Sequence, residues 1–515
     1  MDENVIFSKP IAPQKPQSQG GPQGDLGGTQ TGAIQPVASQ PKPAAQTPQP
    51  VGPYQPVQSA TPPPPQVPPQ VVGSESPLPP PPSSLPFGRV LKILGIALAL
   101  VVVLFLIVRF VFPFFSKKEK TEPVTLTYWG LFEEKRVMDT IITDFQRENP
   151  TITVNYVRKD VKQYRQSLVT QIENGTGPDI YRFHNSWVGM MRSFLSPLTT
   201  GVIDPQEFKA NYYPVIQQDL TRNGALYGMP LQIDTLALFV NTDLFDAGGN
   251  TVPKTWDEFI RVAKDRLVKD EDGRIRTAGA ALGTYDNITH ASDIIGLLMA
   301  QNGTNFSEFS KTTSNASQAL EFYTAFAKNE GSVWDQTLDP SLVAFSKGNL
   351  AMFFGYSWDI FQIKALNPEL KFSTHTVPNL PGRKMALASY WVEGVSSKSK
   401  HQPEAMLFMQ YLAKKETLQK LYSETAKTRL FGQLYPRKDL AATLKNNQLI
   451  YPFMEQAEYA SSSYFASDTY DNGINEQMNA YLGNAVRSQF DNTSTDTALE
   501  TLAQGVNQVL TKYGR

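Results

Sequence analysis

From residue 124 onward the apolar positions follow two alternating periods. VTLTYW (124–129) sets Val124, Leu126 and Tyr128 on one side, the period of two that marks a strand. Residues 133–149 carry Val137, Ile141 and Phe145 four apart, which makes one helical face. TITVNYV (151–157) alternates again, and residues 162–174 bring Tyr164, Leu168 and Ile172 back at helical spacing. Gly177-Pro178 breaks that helix, and DIYRF (179–183) reads as a third strand. Strand, helix, strand, helix, strand with short connections predicts a parallel βαβαβ sheet. Ligands of open parallel sheets bind beyond the carboxyl ends of the strands. That directs attention to Trp129-Gly130 and to residues 183–187.

Further on, TLALFVN (235–241) reads as a strand, and Thr255 with Glu258 forms a capping box that opens a helix after Pro253. GNLAMFFGYSWDI (348–360) is a buried strand ending at Gly355, with Tyr356 and Trp358 just past it. LASYWVEGVSS (387–397) is expected to be one strand and residues 403–424 one amphipathic helix. Residues 472–513 look helical, and no fixed-period repeat is present.

The first 88 residues follow neither period. They hold 23 of the 39 prolines, one tyrosine and no tryptophan, too little apolar side chain to offset chain entropy. They predict a disordered Pro/Gln-rich tail (1–88) acting as a spacer. Residues 93–108 are an unbroken apolar run, and the hydrophobic stretch continues to Phe115 past Arg109. That length suits a membrane-spanning helix. The following SKKEKTEP offers no small-x-small cleavage site, so 89–115 are expected to form an uncleaved, single-pass signal anchor with the membrane as a partner.

Composition narrows the function. Of 515 residues about 400 lie beyond the tail and apolar run, enough for two lobes with separate cores. The formal net charge of −1 gives no basic field for phosphate backbones, so no nucleic-acid partner is expected. The absence of cysteine excludes disulfides, thiolate metal sites, Cys nucleophiles and a lipidated-cysteine anchor. Four isolated histidines (184, 290, 375 and 401) do not suggest a metal site. There is no G-x-S-x-G, H-E-x-x-H or phosphate loop, so the sequence nominates no catalytic residue, metal or cofactor.

The order of segments is itself informative. GTGPDIYRF, ALYGMPLQIDTLALFVNTDLF, VPKTWDEF, the DEDG turn, GNLAMFFGYSWDI, VPNLPGRK, HQPEAMLFMQYLAKKETLQKLYSE and LYPRKDL run in sequence from residue 175 to 440. This collinear set resembles the extracellular solute-binding proteins of ABC transporters, in the subgroup of maltodextrin and other sugar receptors. The resemblance implies a two-lobed α/β fold of the periplasmic-binding-protein type (type II). Lobe 1 would comprise 122–235 with a return segment about 388–437, and lobe 2 would comprise 236–387 with C-terminal helices about 438–515. The chain would cross near 231–238, 384–392 and 436–440, and hinge closure would enclose the ligand. The resemblance also implies a non-enzymatic receptor that captures a carbohydrate or similar polar solute and delivers it to a permease. Arg89 and Lys92 precede the apolar run, whereas Arg109, Lys117, Lys118 and Lys120 flank its far end. That charge count alone would leave the C-terminal part in the cytoplasm. The resemblance places it outside the cell, with the tail in the cytoplasm.

Sugar recognition needs flat aromatic faces for C–H patches and planar polar groups for hydroxyls. By position the candidates are Trp129, Phe183, Asn185 and Trp187 at strand ends, and Tyr390, Trp391 and Glu393 at the return crossing. Asp234 matches an acidic residue that the sugar receptors use on hydroxyls. Trp358, with Tyr356 beside it, matches their stacking tryptophan. Each has a plainer reading. Trp129 or Trp187 could be lobe core, and Asp234 could cap a turn or pair with Arg222. His184 reads as a satisfied hydrogen-bonder. Two other functions fit the same scaffold, an anchored adaptor or sensor and a glycan-active enzyme.

Overall fold

The computed structural model describes residues 87–106, 109 and 122–513, apart from positions 248, 250, 329, 330 and 492. The expected disordered tail lies outside the described residues except for its last two positions. Helix α1 (Phe87–Leu106) is 20 residues long and opens on FGRVLK. Among the described residues no helix is long and apolar enough to cross a membrane. The expected transmembrane signal anchor is corrected on this finding. With it go the membrane as a partner and the single-pass topology with a cytoplasmic tail.

The folded part begins with β1 (Val124–Gly130), α2 (Lys135–Glu148), β2 (Ile152–Arg158), α3 (Tyr164–Glu173) and β3 (Ile180–His184). Short strands β4 (Leu195–Ser196) and β5 (Met229–Pro230) follow. The chain then builds β6 (Ala237–Asn241), α4 (Trp256–Asp265), β7 (Val268–Lys269), β8 (Ile275–Ala280) and α5 (Ala291–Gln301). Next come β9 (Leu350–Gly355), α6 (Asp359–Leu366) and β10 (Phe372–His375). The return runs through β11 (Ala386–Ala388), β12 (Trp391–Ser396), α7 (Gln402–Ala413) and α8 (Lys415–Ala426). β13 (Ala460–Ser462), α9 (Ile474–Ser488) and α10 (Thr495–Lys512) complete it.

Two sheets define two lobes. In lobe 1 the order is β2-β1-β3-β12-β4, with β5 also on β12. β1 pairs parallel with both β2 and β3, as the alternating strand and helix periods require. β12 enters antiparallel to β3. In lobe 2 the order is β10-β6-β9-β8-β7. Here β8 and β9 are parallel, and the remaining pairs are antiparallel. The apolar faces explain the layering. Val137, Ile141 and Phe145 of α2 are buried against the first sheet. α4 is opened by the Thr255–Glu258 capping box, and its Trp256, Phe259 and Val262 are buried in lobe 2.

Two expectations about elements change. LASYWVEGVSS is two strands, because Ser389 N donates to Asp234 O (3.1 Å) and Tyr390 N to Asn185 Oδ1 (3.2 Å), so tertiary bonds replace the ladder there. The helix expected over 403–424 is broken at Lys414, whose φ of −60° and ψ of 139° are extended.

The lobes meet on a layer of crossing segments. β11 pairs parallel with β13, and Thr235 bridges Ala388. Leu236 N donates to Leu387 O (2.9 Å) and Ile233 N to Leu434 O (3.0 Å). Gln456, fully buried, ties this layer together by donating to Thr235 Oγ1 (2.8 Å) and Leu236 O (2.7 Å).

Candidate functional site

A cavity of about 620 Å³ opens beside this layer, within the range of small-molecule sites. Lobe 1 supplies Phe132 and Trp391, lobe 2 supplies Trp358, and the crossing segments supply Asp234, Gln433 and Leu434. Phe132 follows β1 and is 42% exposed. Its ring meets Trp391 edge-on with centroids 5.4 Å apart. Trp391 in turn packs against Trp187 (5.2 Å) and His184 (5.2 Å). This aromatic wall is fixed from behind: Trp187 Nε1 donates to Asn475 Oδ1 (3.0 Å), and both His184 ring nitrogens bond to serine hydroxyls. Burial pushes His184 down to about 3, so it is neutral at physiological pH.

On the opposite lobe the chain leaves β9 at Gly355 and presents Trp358 just before α6. Trp358 stacks on Tyr356, with centroids 4.4 Å apart and planes 15° off parallel. Tyr356 is fully buried and its hydroxyl donates to Asp293 (2.8 Å). Trp358, only partly buried, therefore lines the cavity with its plane held in place. Asp234 accepts from Thr235 N (2.9 Å), Ser357 N (3.1 Å) and the Ser357 hydroxyl. Burial outweighs these bonds and pushes Asp234 up to about 8, so near neutral pH it retains a proton.

His290 is buried beside this wall, 2.9 Å from Asp359 through Nε2 and 3.5 Å from Asp468 through Nδ1. Burial alone would lower its pKa, but Asp359, then Asp468 and Asp293, raise it to about 9. A raised pKa stabilises the fold fully below the unfolded value near 6.5, and that stability is lost as pH rises through 9. Stability should therefore fall by up to about 3 kcal/mol over that window, at 1.36 kcal/mol per unit. Asp234 and Glu393, raised to about 8 and about 7, slope the same way at lower pH. Denaturant unfolding at a series of pH values should show the decline, and His290→Gln should flatten its upper end. A wild-type stability that rises from pH 7 to 9 would refute this.

Of the residues nominated from sequence, Asp234, Trp358 and Trp391 face the cavity together. Trp187 and Tyr356 lie directly behind it. Phe183 is core. Trp129 is buried under Lys159, whose ammonium is 3.9 Å from the ring centroid. Glu393 is fully buried against Arg182. Asn185 and Tyr390 are bonded to Asp219 on a different surface. The sequence reading missed Phe132, Gln433 and Arg429. Phe132 lies two residues past the end of β1, where the strand-end rule could have found it. Arg429 and Gln433 sit in the loop after α8 and carry no local signal. Arg429 lies over the ring of Phe361, 5.0 Å from its centroid, and bonds Phe431 O.

Comparison with known proteins agrees with this architecture. Residues 140–430 match the family model described as bacterial extracellular solute-binding protein. The multiple sugar-binding protein of Streptococcus mutans serotype c is 26% identical over 331 residues, covering 60% of this chain and 75% of that protein. The maltodextrin-binding protein MdxE of Bacillus subtilis is 24% identical over 323 residues, covering 60% and 72%. Among solved structures, a cyclo/maltodextrin-binding protein complexed with maltotetraose aligns with a TM-score of 0.62 at 19% identity, covering 76% of this chain and 99% of that one. The sugar-binding protein MalE of Xanthomonas citri aligns with a TM-score of 0.60 at 21% identity, covering 76% and 98%. At these identities the structural matches speak to the fold, which is the two-lobed α/β architecture. The family match spans more than half of the chain and makes it a binding protein rather than an enzyme. The chain belongs to the bacterial extracellular solute-binding protein family.

Proposed function

We propose that this chain captures a carbohydrate in the cavity between its lobes, outside the cell, and delivers it to the permease of an ABC transporter. The observation that carries the proposal is Trp358, stacked on Tyr356 and facing the same space as Asp234 and Trp391. A sugar ring offers an apolar C–H face and a rim of hydroxyls. A fixed indole plane takes the first, and carboxyl and amide groups such as Asp234 and Gln433 take the second. The relatives named as sugar- and maltodextrin-binding proteins support that ligand class.

The test is a thermal-shift screen of the full chain against maltodextrins, other oligosaccharides, amino acids and peptides. A ligand at about 100 times its Kd should stabilise the protein by about 2.7 kcal/mol. A shift with oligosaccharides and none with the other classes is the expected result. A response to peptides alone would overturn the ligand class.

A further inference from the structure

A second cavity, of about 660 Å³, lies between the lobes and shares no lining residue with the first. Lobe 1 contributes Asn185, Asp219 and Arg222 to its wall, lobe 2 contributes Thr304 and Arg383, and β13 contributes Ser462. Both arginines are partly buried. Among the described residues Arg222 spends only Nη1 on protein, donating to Gln218 O (2.6 Å) and Thr221 O (2.8 Å). Arg383 likewise uses only Nη1, on Gln301 O (3.1 Å). Among the described residues neither guanidinium has a carboxylate within ion-pair distance. Several other arginines do, including Arg182, Arg437 and Arg487. On the same wall Thr304 Oγ1 is buried and has no hydrogen-bond partner among the described residues.

Among the described residues one carboxylate shares this space. Asp219 Oδ2 accepts from Ser462 Oγ (2.6 Å), Tyr390 Oη (2.8 Å) and Asn185 Nδ2 (2.9 Å). Three donors on one oxygen tie this carboxyl to the hinge layer; burial raises its pKa, and those donors and then Arg222 favour its charged form. The rest of the polar wall is the two guanidiniums, hydroxyls and amides such as Gln218 and Asn305, beside apolar Phe306 and Met385. A planar guanidinium presents paired N–H groups that match the oxygens of a phosphate. Half-buried guanidiniums with spare donors in a concave wall favour such an anion over open water, because screening is weaker there.

We propose that this second cavity binds a small phosphate-type oxyanion, held between Arg222 of one lobe and Arg383 of the other. The anion is either free phosphate or the phosphate group of a sugar ester. The site is separate from the carbohydrate cleft and stands whether or not that cleft takes a sugar.

Isothermal titration of the full chain with inorganic phosphate, and separately with glucose 1-phosphate, tests it. Saturable binding of either supports the site. Binding of the ester alone identifies a phosphorylated solute, and binding of both identifies the free ion. Arg222→Gln and Arg383→Gln should each weaken binding by about tenfold or more, the scale of one lost charge-assisted pair. Asp219→Asn should tighten it by removing the opposing charge. The charge-retaining R222K and R383K serve if either glutamine variant fails to fold, and they should also weaken binding because the fork is lost. No saturable heat with either probe, or affinity unchanged in every arginine variant, would overturn the proposal.

Discussion

Replacing Arg182 with methionine should destabilise the protein by about 3–5 kcal/mol, the cost of breaking a buried ion group by removing one partner. Arg182, on β3, is fully buried and pairs with two carboxylates, Glu133 through Nη1 and Glu393 through Nη2. Its Nε also donates to Glu393 (2.7 Å). Tyr128 Oη donates to Glu393 (2.9 Å), and Gln433 Nε2, from the cleft wall, to Glu133 (2.8 Å). One cation thus faces two carboxylates. Even with Arg182 pulling it down, burial and then Glu133 hold Glu393 up at about 7. Without the arginine neither buried carboxylate keeps an ion-pair partner, so the site must take up a proton or the lobe must open. The loss should therefore be larger at pH 8 than at pH 5. Urea unfolding at both values measures it, and the triple variant R182M/E133Q/E393Q should recover much of the deficit. A single-variant loss under about 1 kcal/mol would show that the group contributes little.

Trp358→Ala should cost about 2 kcal/mol of carbohydrate affinity, roughly thirtyfold, with little change in fold stability. The argument is one of placement. Trp358 is partly buried and caps a stack whose lower member, Tyr356, is fully buried and hydrogen-bonded to Asp293. Removing the upper ring strips the cavity of its flat apolar face and leaves the support standing. Tyr356→Phe keeps the stack and loses only the hydroxyl bond, so it should bind nearly as well as wild type. Titration calorimetry with the oligosaccharide found in the screen gives both affinities. Unfolding of Trp358→Ala in buffer would instead mark the residue as structural.

The parallel β1–β3 unit was legible in the sequence because its strand and helix periods are local properties. The capping box at Thr255 was legible for the same reason. The break at Ser389–Tyr390 was not, since it is imposed by Asp234 and Asn185, more than 150 residues earlier in the chain. At the cleft, Asp234, Trp358 and Trp391 stood out by residue type and segment order. Position near a strand end could not decide which aromatic side chains turn inward. Phe183 and Trp129 went to the core, and Glu393 went to Arg182. The apolar run after residue 93 was read from composition alone, and among the described residues no helix is long and apolar enough to cross a membrane.

The place of β12 in the first sheet bears on how the protein is made. This strand lies between β3 and β4, yet it is encoded some 200 residues after them. A nascent chain leaving the ribosome cannot close that sheet until residue 396 has emerged, whereas all five strands of the other sheet, 237–375, are by then already available. Synthesis thus runs ahead of assembly for the lobe that begins first, whose half-built edge stays unpaired through much of translation.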